Sequence, residues 1–140
     1  MNFLDDKNME NFKSILMEDN TNPKDVERQS LFYIIAGNED LYSKRKHIYD
    51  FAERAINPEC LESSEVDFSS SSRALIRLGY NLYNSYSDKY TTPIDILYGL
   101  DSDNYVLALN SLDIRFGVER EMEICSIDEG KENEDYCIGG

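Results

Sequence analysis

Apolar residues recur along the chain at spacings of three and four, with capping residues between the runs. Met9, Phe12, Ile15 and Leu16 form one stripe within residues 3–19, which predicts a first helix. Asp5 or Asp6 is placed to cap it, because a carboxylate accepts the free N–H groups of a first turn. The segment TNPKDVERQSLFYIIAGN predicts a second helix, with Asn22 as cap, Pro23 in the first helical position and Gly37 as terminator. Asp25 adds negative charge near the positive end of that helix. Its inner run, LFYIIA, is apolar on every side. Periodicity alone does not separate such a run from a buried strand. The lead-in DVERQS carries no turn signal, so a helix is expected, placed at the centre of the fold.

EDLYSKRKHIYDFAERAI predicts a third helix, broken near residues 43–47, with Leu41, Ile48, Ala52 and Ala55 on one stripe and Phe51 beside it. NPECLESSEVD reads as a loop. Ser69 to Ser72 then precede RALIRLGYNLYNSY, where Leu75, Ile76, Leu78 and Leu82, with Gly79, Tyr83 and Tyr86, make a broad apolar face. A glycine inside a helix costs about 1 kcal/mol relative to Ala, so Gly79 anticipates another helix crossing close by. TTPIDILYGL starts on Thr92 and Pro93, has Asp95 in its first turn and stops at Gly99. DSDNYVLALNSLDIRFG starts on Asp101 or Ser102 and stops at Gly117, with Tyr105, Leu109, Leu112 and Phe116 expected to face inward. The expected fold is all-α: a single compact domain of five or six helices over residues 1–117, packed around LFYIIA and ALIRLGYNLY.

Charge changes the picture more than composition does. The chain carries 28 acidic and 14 basic residues, a formal charge of −14. That balance argues against direct contact with nucleic acid and with anionic membranes, since both attract Lys and Arg. It favours encounter with a basic protein surface. Residues 118–140 hold 8 acidic and 2 basic residues without a helical stripe, so an acidic, poorly ordered tail is expected there. No run approaches 18 apolar residues, and MNFLDDKNMENF has neither the basic start nor the apolar stretch of a signal peptide. Cys60, Cys125 and Cys137 are odd in number and widely spaced, which suits reduced thiols in the cytoplasm.

Four successive serines before Arg73 suggest nucleophiles or a phosphate cradle, but no GxSxG surrounds them and no SxxK follows. Helix capping accounts for them with one ordinary mechanism. His47 is the single histidine, and Cys60 is the one cysteine near it in sequence, so Cys60 with His47 is the rival, enzymatic reading. DSDN opens like a calcium loop, but Tyr105 and Val106 stand where an oxygen ligand and Gly belong. No catalytic residue, cofactor or metal is therefore expected. Tyr80, Tyr83, Tyr86 and Tyr90 recur three or four apart, as a band running from core to surface. KRKH, residues 44–47, is the one dense basic cluster; the acidic tail is expected to rest near it and to leave when a partner binds.

NPKDVERQSLFYIIAGNEDLYSKRKHIYDF, PECLESSEVDFSSSSRALIRLGYNLYN and LDSDNYVLALNSLDIRF resemble a family of small uncharacterised proteins of low-GC Gram-positive bacteria and their mobile elements, over residues 1–116. The resemblance transfers no activity and no site residue. Its mobile-element setting implies a protein that disarms a host system. The expected function is an acidic interaction module that occupies a basic nucleic-acid-binding surface of a host protein, against the alternative of a helical domain whose acidity only keeps it in solution. The candidate partner-binding residues are Asp5, Asp6, Glu10, Glu18 and Asp19 on the first helix, and Glu62, Glu65 and Asp67 in the loop. Tyr83 and Tyr86 are the alternative surface.

Overall fold

The computed structural model describes residues 1–120. Its elements run α1 (Asp6–Asp19), α2 (Val26–Ala36), α3 (Glu39–Ser43), α4 (Arg45–Ile48), a hairpin of β1 (Tyr49–Asp50) and β2 (Ala55–Ile56), a 3₁₀ turn (Pro58–Leu61), α5 (Ser70–Asn84), α6 (Pro93–Leu97) and α7 (Ser102–Phe116). Helix dominates, as expected, and the one sheet among the described residues is this two-residue antiparallel pairing.

LFYIIA is the centre. Every residue of α2 from Ser30 to Ala36 is buried, and the helix packs against α1, α5 and α7. Each large apolar side chain enclosed this way contributes roughly 1.5–3 kcal/mol. Gly79 marks the close crossing of α5 on α2: a Cβ there would stand 2.7 Å from Leu31 Cδ1. Phe12 and Ile15 bring α1 onto the same core.

Most starts and stops follow the capping chemistry. Asp5 Oδ1 accepts from the Asn8 N–H at 2.8 Å, Ser69 Oγ from Ser72 at 3.1 Å, Thr92 Oγ1 from Asp95 at 3.1 Å and Asp101 Oδ1 from Asn104 at 2.8 Å. Gly117 closes α7 in the left-handed region, with φ of 66°. The second helix departs from expectation. Asp25, not Asn22, caps it, accepting from the Arg28 N–H at 2.9 Å while also pairing with Arg28 Nη1 at 2.8 Å. Asn22 instead accepts from Lys24 N–H, which folds Pro23 into the turn ahead of α2.

The third segment is interrupted at Lys44, between α3 and α4, within the expected break, but its helix does not run on through residues 49–56. It ends at Ile48, and the chain enters the hairpin at Tyr49, with φ of −137°. Tyr49 is fully buried, edge-on to Phe32 and to Phe51 at 4.9 Å in each case. Ala52 and Ala55, expected on the buried stripe, are exposed in the turn and in β2. Aromatic packing around Tyr49 overrides the local helical pattern. The register of α7 also differs. Leu107, Ala108, Asn110 and Ser111 face inward and Leu112 packs against the core as expected, while Tyr105 is 42% and Phe116 65% exposed. Small residues at 108 and 111 let α7 lie close to α2, which a stripe of Tyr, Leu and Phe would not. Residues 121–140, most of the expected acidic tail with Cys125 and Cys137, lie outside the described residues. No described helix is long and apolar enough to cross a membrane.

Candidate functional site

The candidate carboxylates divide into three settings. On α1, Asp5 serves as the helix cap, and Asp6 and Glu10 are exposed one turn apart. Lys7 and Lys13 share that exposed side, so the outer face of α1 is mixed in sign. Glu18 turns toward the basic cluster: its Oε1 accepts from Arg45 Nε at 3.1 Å, and Lys46 Nζ lies 3.8 Å from Oε2.

Asp19 does not belong to the surface. Its side chain is fully enclosed. Arg54 donates to it through Nε at 3.1 Å and Nη2 at 2.9 Å, the Tyr49 hydroxyl donates at 2.9 Å, and the Thr21 hydroxyl donates at 2.6 Å. Burial alone would raise its pKa; the bonds from Arg54, Thr21 and Tyr49 outweigh that and hold the carboxyl below its ordinary value. Burial, with the hydrogen bond to Asp19, pushes the Tyr49 phenol up to about 12 despite the opposing Arg28. The network runs on through Arg28, whose Nε donates to Tyr49 at 2.9 Å and whose Nη2 donates to the Arg54 carbonyl at 3.0 Å. It clasps the hairpin to α1 and α2 and holds Arg54 at φ of 55°, which a non-glycine residue rarely adopts.

Glu62, Glu65 and Asp67 are exposed in the loop between the 3₁₀ turn and α5. No ion pair engages them among the described residues. No Lys or Arg occurs between Arg54 and Arg73, and Glu59 adds a fourth carboxylate to this stretch. The hydrogen bonds of Glu62, Glu65 and Asp67 among the described residues are made by their backbone, including the Asp67 carbonyl, which accepts from Lys44 Nζ at 2.5 Å.

The tyrosines separate by depth. Tyr80 is fully buried and donates to the Ile48 carbonyl at 2.6 Å. Tyr83 is half-buried beneath the Arg28 guanidinium, 5.2 Å from the ring centroid. Tyr86 is half-buried, stacks edge-on against Tyr80 and reaches Asp88 at 3.3 Å. Asp88 gathers Arg77 Nε, the Tyr90 N–H and the Thr91 hydroxyl; these overcome burial and lower its carboxyl to about 2. Tyr83 and Tyr86 therefore brace the α5 end of the fold, each with part of its surface still exposed.

The basic cluster is engaged by the folded body. Lys44 pairs with Asp40 at 2.7 Å, Arg45 and Lys46 share Glu18, and His47 is exposed. The expected docking of the tail there involves residues outside those described. Cys60 and His47 are not joined: Cys60 is buried, 3.3 Å from the Tyr80 hydroxyl, and burial pushes its thiol up, away from the thiolate a nucleophile requires. A pulse of iodoacetamide read by peptide mass spectrometry should label Cys60 at least about a hundredfold more slowly in the native protein than in urea, because a buried thiol reacts only on opening. Comparable rates would show an accessible thiolate. The serines act as caps and ties: Ser69 caps α5, and Ser72 Oγ donates to Asp40 at 3.1 Å.

No curated protein and no solved structure matches the chain. A family of unknown function, DUF6075, matches residues 1–128, which carries the likeness past residue 116 and into the acidic segment beyond α7. The chain belongs to this DUF6075 family.

Proposed function

We propose that this protein is an acidic interaction module whose exposed carboxylates engage a basic surface on another protein, as a nucleic-acid mimic does. One observation carries the reading. The folded body commits many of its cations internally: Arg28, Lys44, Arg45, Lys46, Arg54, Arg77, Arg115 and Arg120 stand in ion pairs, whereas Lys7, Lys13, Lys24 and Lys89 are exposed outside them, Lys7 and Lys13 on the same side of α1 as Asp6 and Glu10. Meanwhile Asp6, Glu10, Glu62, Glu65 and Asp67 face solvent with no such partner among the described residues. Carboxylates held at fixed positions answer a basic groove as phosphates do, because such a groove responds to the spacing of negative charge. The proposed host is a low-GC Gram-positive bacterium, the proposed carrier a mobile element, the proposed compartment the cytoplasm, and the proposed target a nucleic-acid-binding protein.

The test is capture of partners from a lysate of such a host at low and at high salt. A basic nucleic-acid-binding protein that is retained at low salt, lost at high salt and displaced by DNA or RNA supports the proposal. An acidic partner, or one indifferent to both salt and nucleic acid, contradicts it.

A further inference from the structure

The acidic reading leaves one apolar surface unaccounted for. On α6, Ile94 and Tyr98 stand one turn apart, 69% and 85% exposed, while Ile96 between them is buried in the core. They border an open groove of about 460 Å³ against the first turns of α5, shared with Ser70, Ser71, Ala74 and Gly99. Nothing lies within 4 Å of a Cβ built on Gly99, so that wall is open. An isolated exposed apolar residue is ordinary; two side by side along a groove with a small-residue wall are shaped to receive a side chain.

Asp95 lines the groove and the sequence beside it is acidic, while Lys44 stands at the Asp67 backbone carbonyl on the far side. From Tyr90 to Ile114 the sequence has four carboxylates, Asp95, Asp101, Asp103 and Asp113, and no Lys or Arg. Asp95, Asp101 and Asp103 are exposed and outside every ion pair among the described residues. On the other side, Asp67 precedes Ser70 by three residues, about 10 Å of chain, so the Glu62–Asp67 loop leads straight to the groove. Arg73 and Arg77, the cations near these α5 positions in sequence, are both engaged, Arg73 with the Leu61 carbonyl at 3.3 Å and Arg77 with Asp88 at 2.9 Å.

We propose that the groove between α5 and α6 is the anchor point for a basic, amphipathic segment of the partner protein. An apolar side chain of that segment would lie between Ala74 and the Ile94–Tyr98 pair. Flanking Lys or Arg side chains would meet Asp95, Asp101 and Asp103 on one side and Glu65 and Asp67 on the other. An amphipathic helix laid in a groove is the established form of such recognition. A second copy of this chain is a poor occupant, since pairing like faces would set the same carboxylates against one another. The inference rests on the reading of a basic partner and adds where and how that partner is held.

The probe is a synthetic 14-residue helical peptide with leucines on one face and lysines on the other. Two companions replace either the leucines by serine or the lysines by glutamate. Backbone amide shifts of the full-length protein should move at residues 70–74 and 94–99 with the Leu/Lys peptide alone. An Ile94→Ser, Tyr98→Ala double variant, whose changes lie at exposed positions and should leave the circular dichroism spectrum unaltered, should bind it at least about tenfold more weakly. Absent shifts, shifts confined elsewhere, an equal response to the glutamate peptide, unchanged affinity in the double variant, or concentration-dependent self-association through these residues would each overturn the groove. If the Leu/Lys and Ser/Lys peptides bind equally and move only Glu10 or Glu62, the groove fails while the acidic reading survives. A captured host partner that is not basic defeats the reading itself.

Discussion

Replacing Asp19 with Ala should lower the unfolding free energy by about 3 kcal/mol, because it removes a buried carboxylate and strands the donors around it. Tyr49 would keep a buried hydroxyl without its acceptor, and Arg54 would lose the bidentate contact that holds it at positive φ. Asp19→Asn, which keeps the shape and loses the charge, should cost less than the Ala change. The effect depends on pH with a definite sign. A carboxyl whose folded pKa lies below its ordinary 3.8 stabilises the fold fully above that value and loses its contribution as pH falls through the folded pKa. The gap between wild type and Asp19→Ala in denaturant titrations should therefore be complete at pH 7 and shrink progressively below pH about 4. Asp88, lowered to about 2, makes the wild type itself less stable over the same acid range. A gap that stays constant from pH 7 to about pH 2 would show that the charge of Asp19 does not hold the clasp.

Gly37→Ala is the second large effect, an expected loss of about 2–3 kcal/mol. The backbone at Gly37 is ordinary, with φ of −95°, so the glycine is required for space and not for conformational freedom. An added Cβ would stand 2.1 Å from Leu107 Cδ1 and 3.1 Å from Asn8 Nδ2. Leu107 is fully buried between α2 and α7, and Asn8 is buried on α1, so neither side chain has solvent to swing into. The check is a double-mutant cycle. Leu107→Ala opens the room that the new methyl needs, so the two changes together should cost clearly less than their sum. Strict additivity would mean that the overlap is relieved elsewhere.

The sequence pattern located the helices because their limits are local. Asp5, Ser69, Thr92 and Asp101 each cap the helix that immediately follows them, and LFYIIA had only a central position open to it. What it missed depends on distant contacts. The hairpin at residues 49–56 forms because Tyr49 finds Phe32 and Arg54 finds Asp19, pairings between segments far apart in sequence. In α7, a pattern of large apolar residues suggested an inward face, but Ala108 and Ser111 are the residues whose size admits α2.

The site was legible in charge and less so in geometry. The loop carboxylates are exposed as expected, whereas Asp19 is interior. A signal for that was present: Asp19 stands four residues after Ile15 and seven after Phe12, so it continues the buried stripe of α1. Asn8 and Asn11 are buried on α1 as well, Asn11 donating to the Ala36 carbonyl at 3.3 Å. A stripe that ends in polar residues reads as surface until a partner such as Arg54 is brought to it by the fold.

The central claim is that negative charge on this surface is what a partner recognises. The most direct measurement is the affinity for the captured partner at about 50 mM and about 300 mM salt, for the wild type and for a Glu62→Lys, Glu65→Lys, Asp67→Lys variant. Screening weakens attraction between exposed charges across that range. The expected result is a steep fall in wild-type affinity with salt, and weak, much flatter binding by the variant. Affinity that is indifferent to salt and survives the charge reversal would contradict the claim.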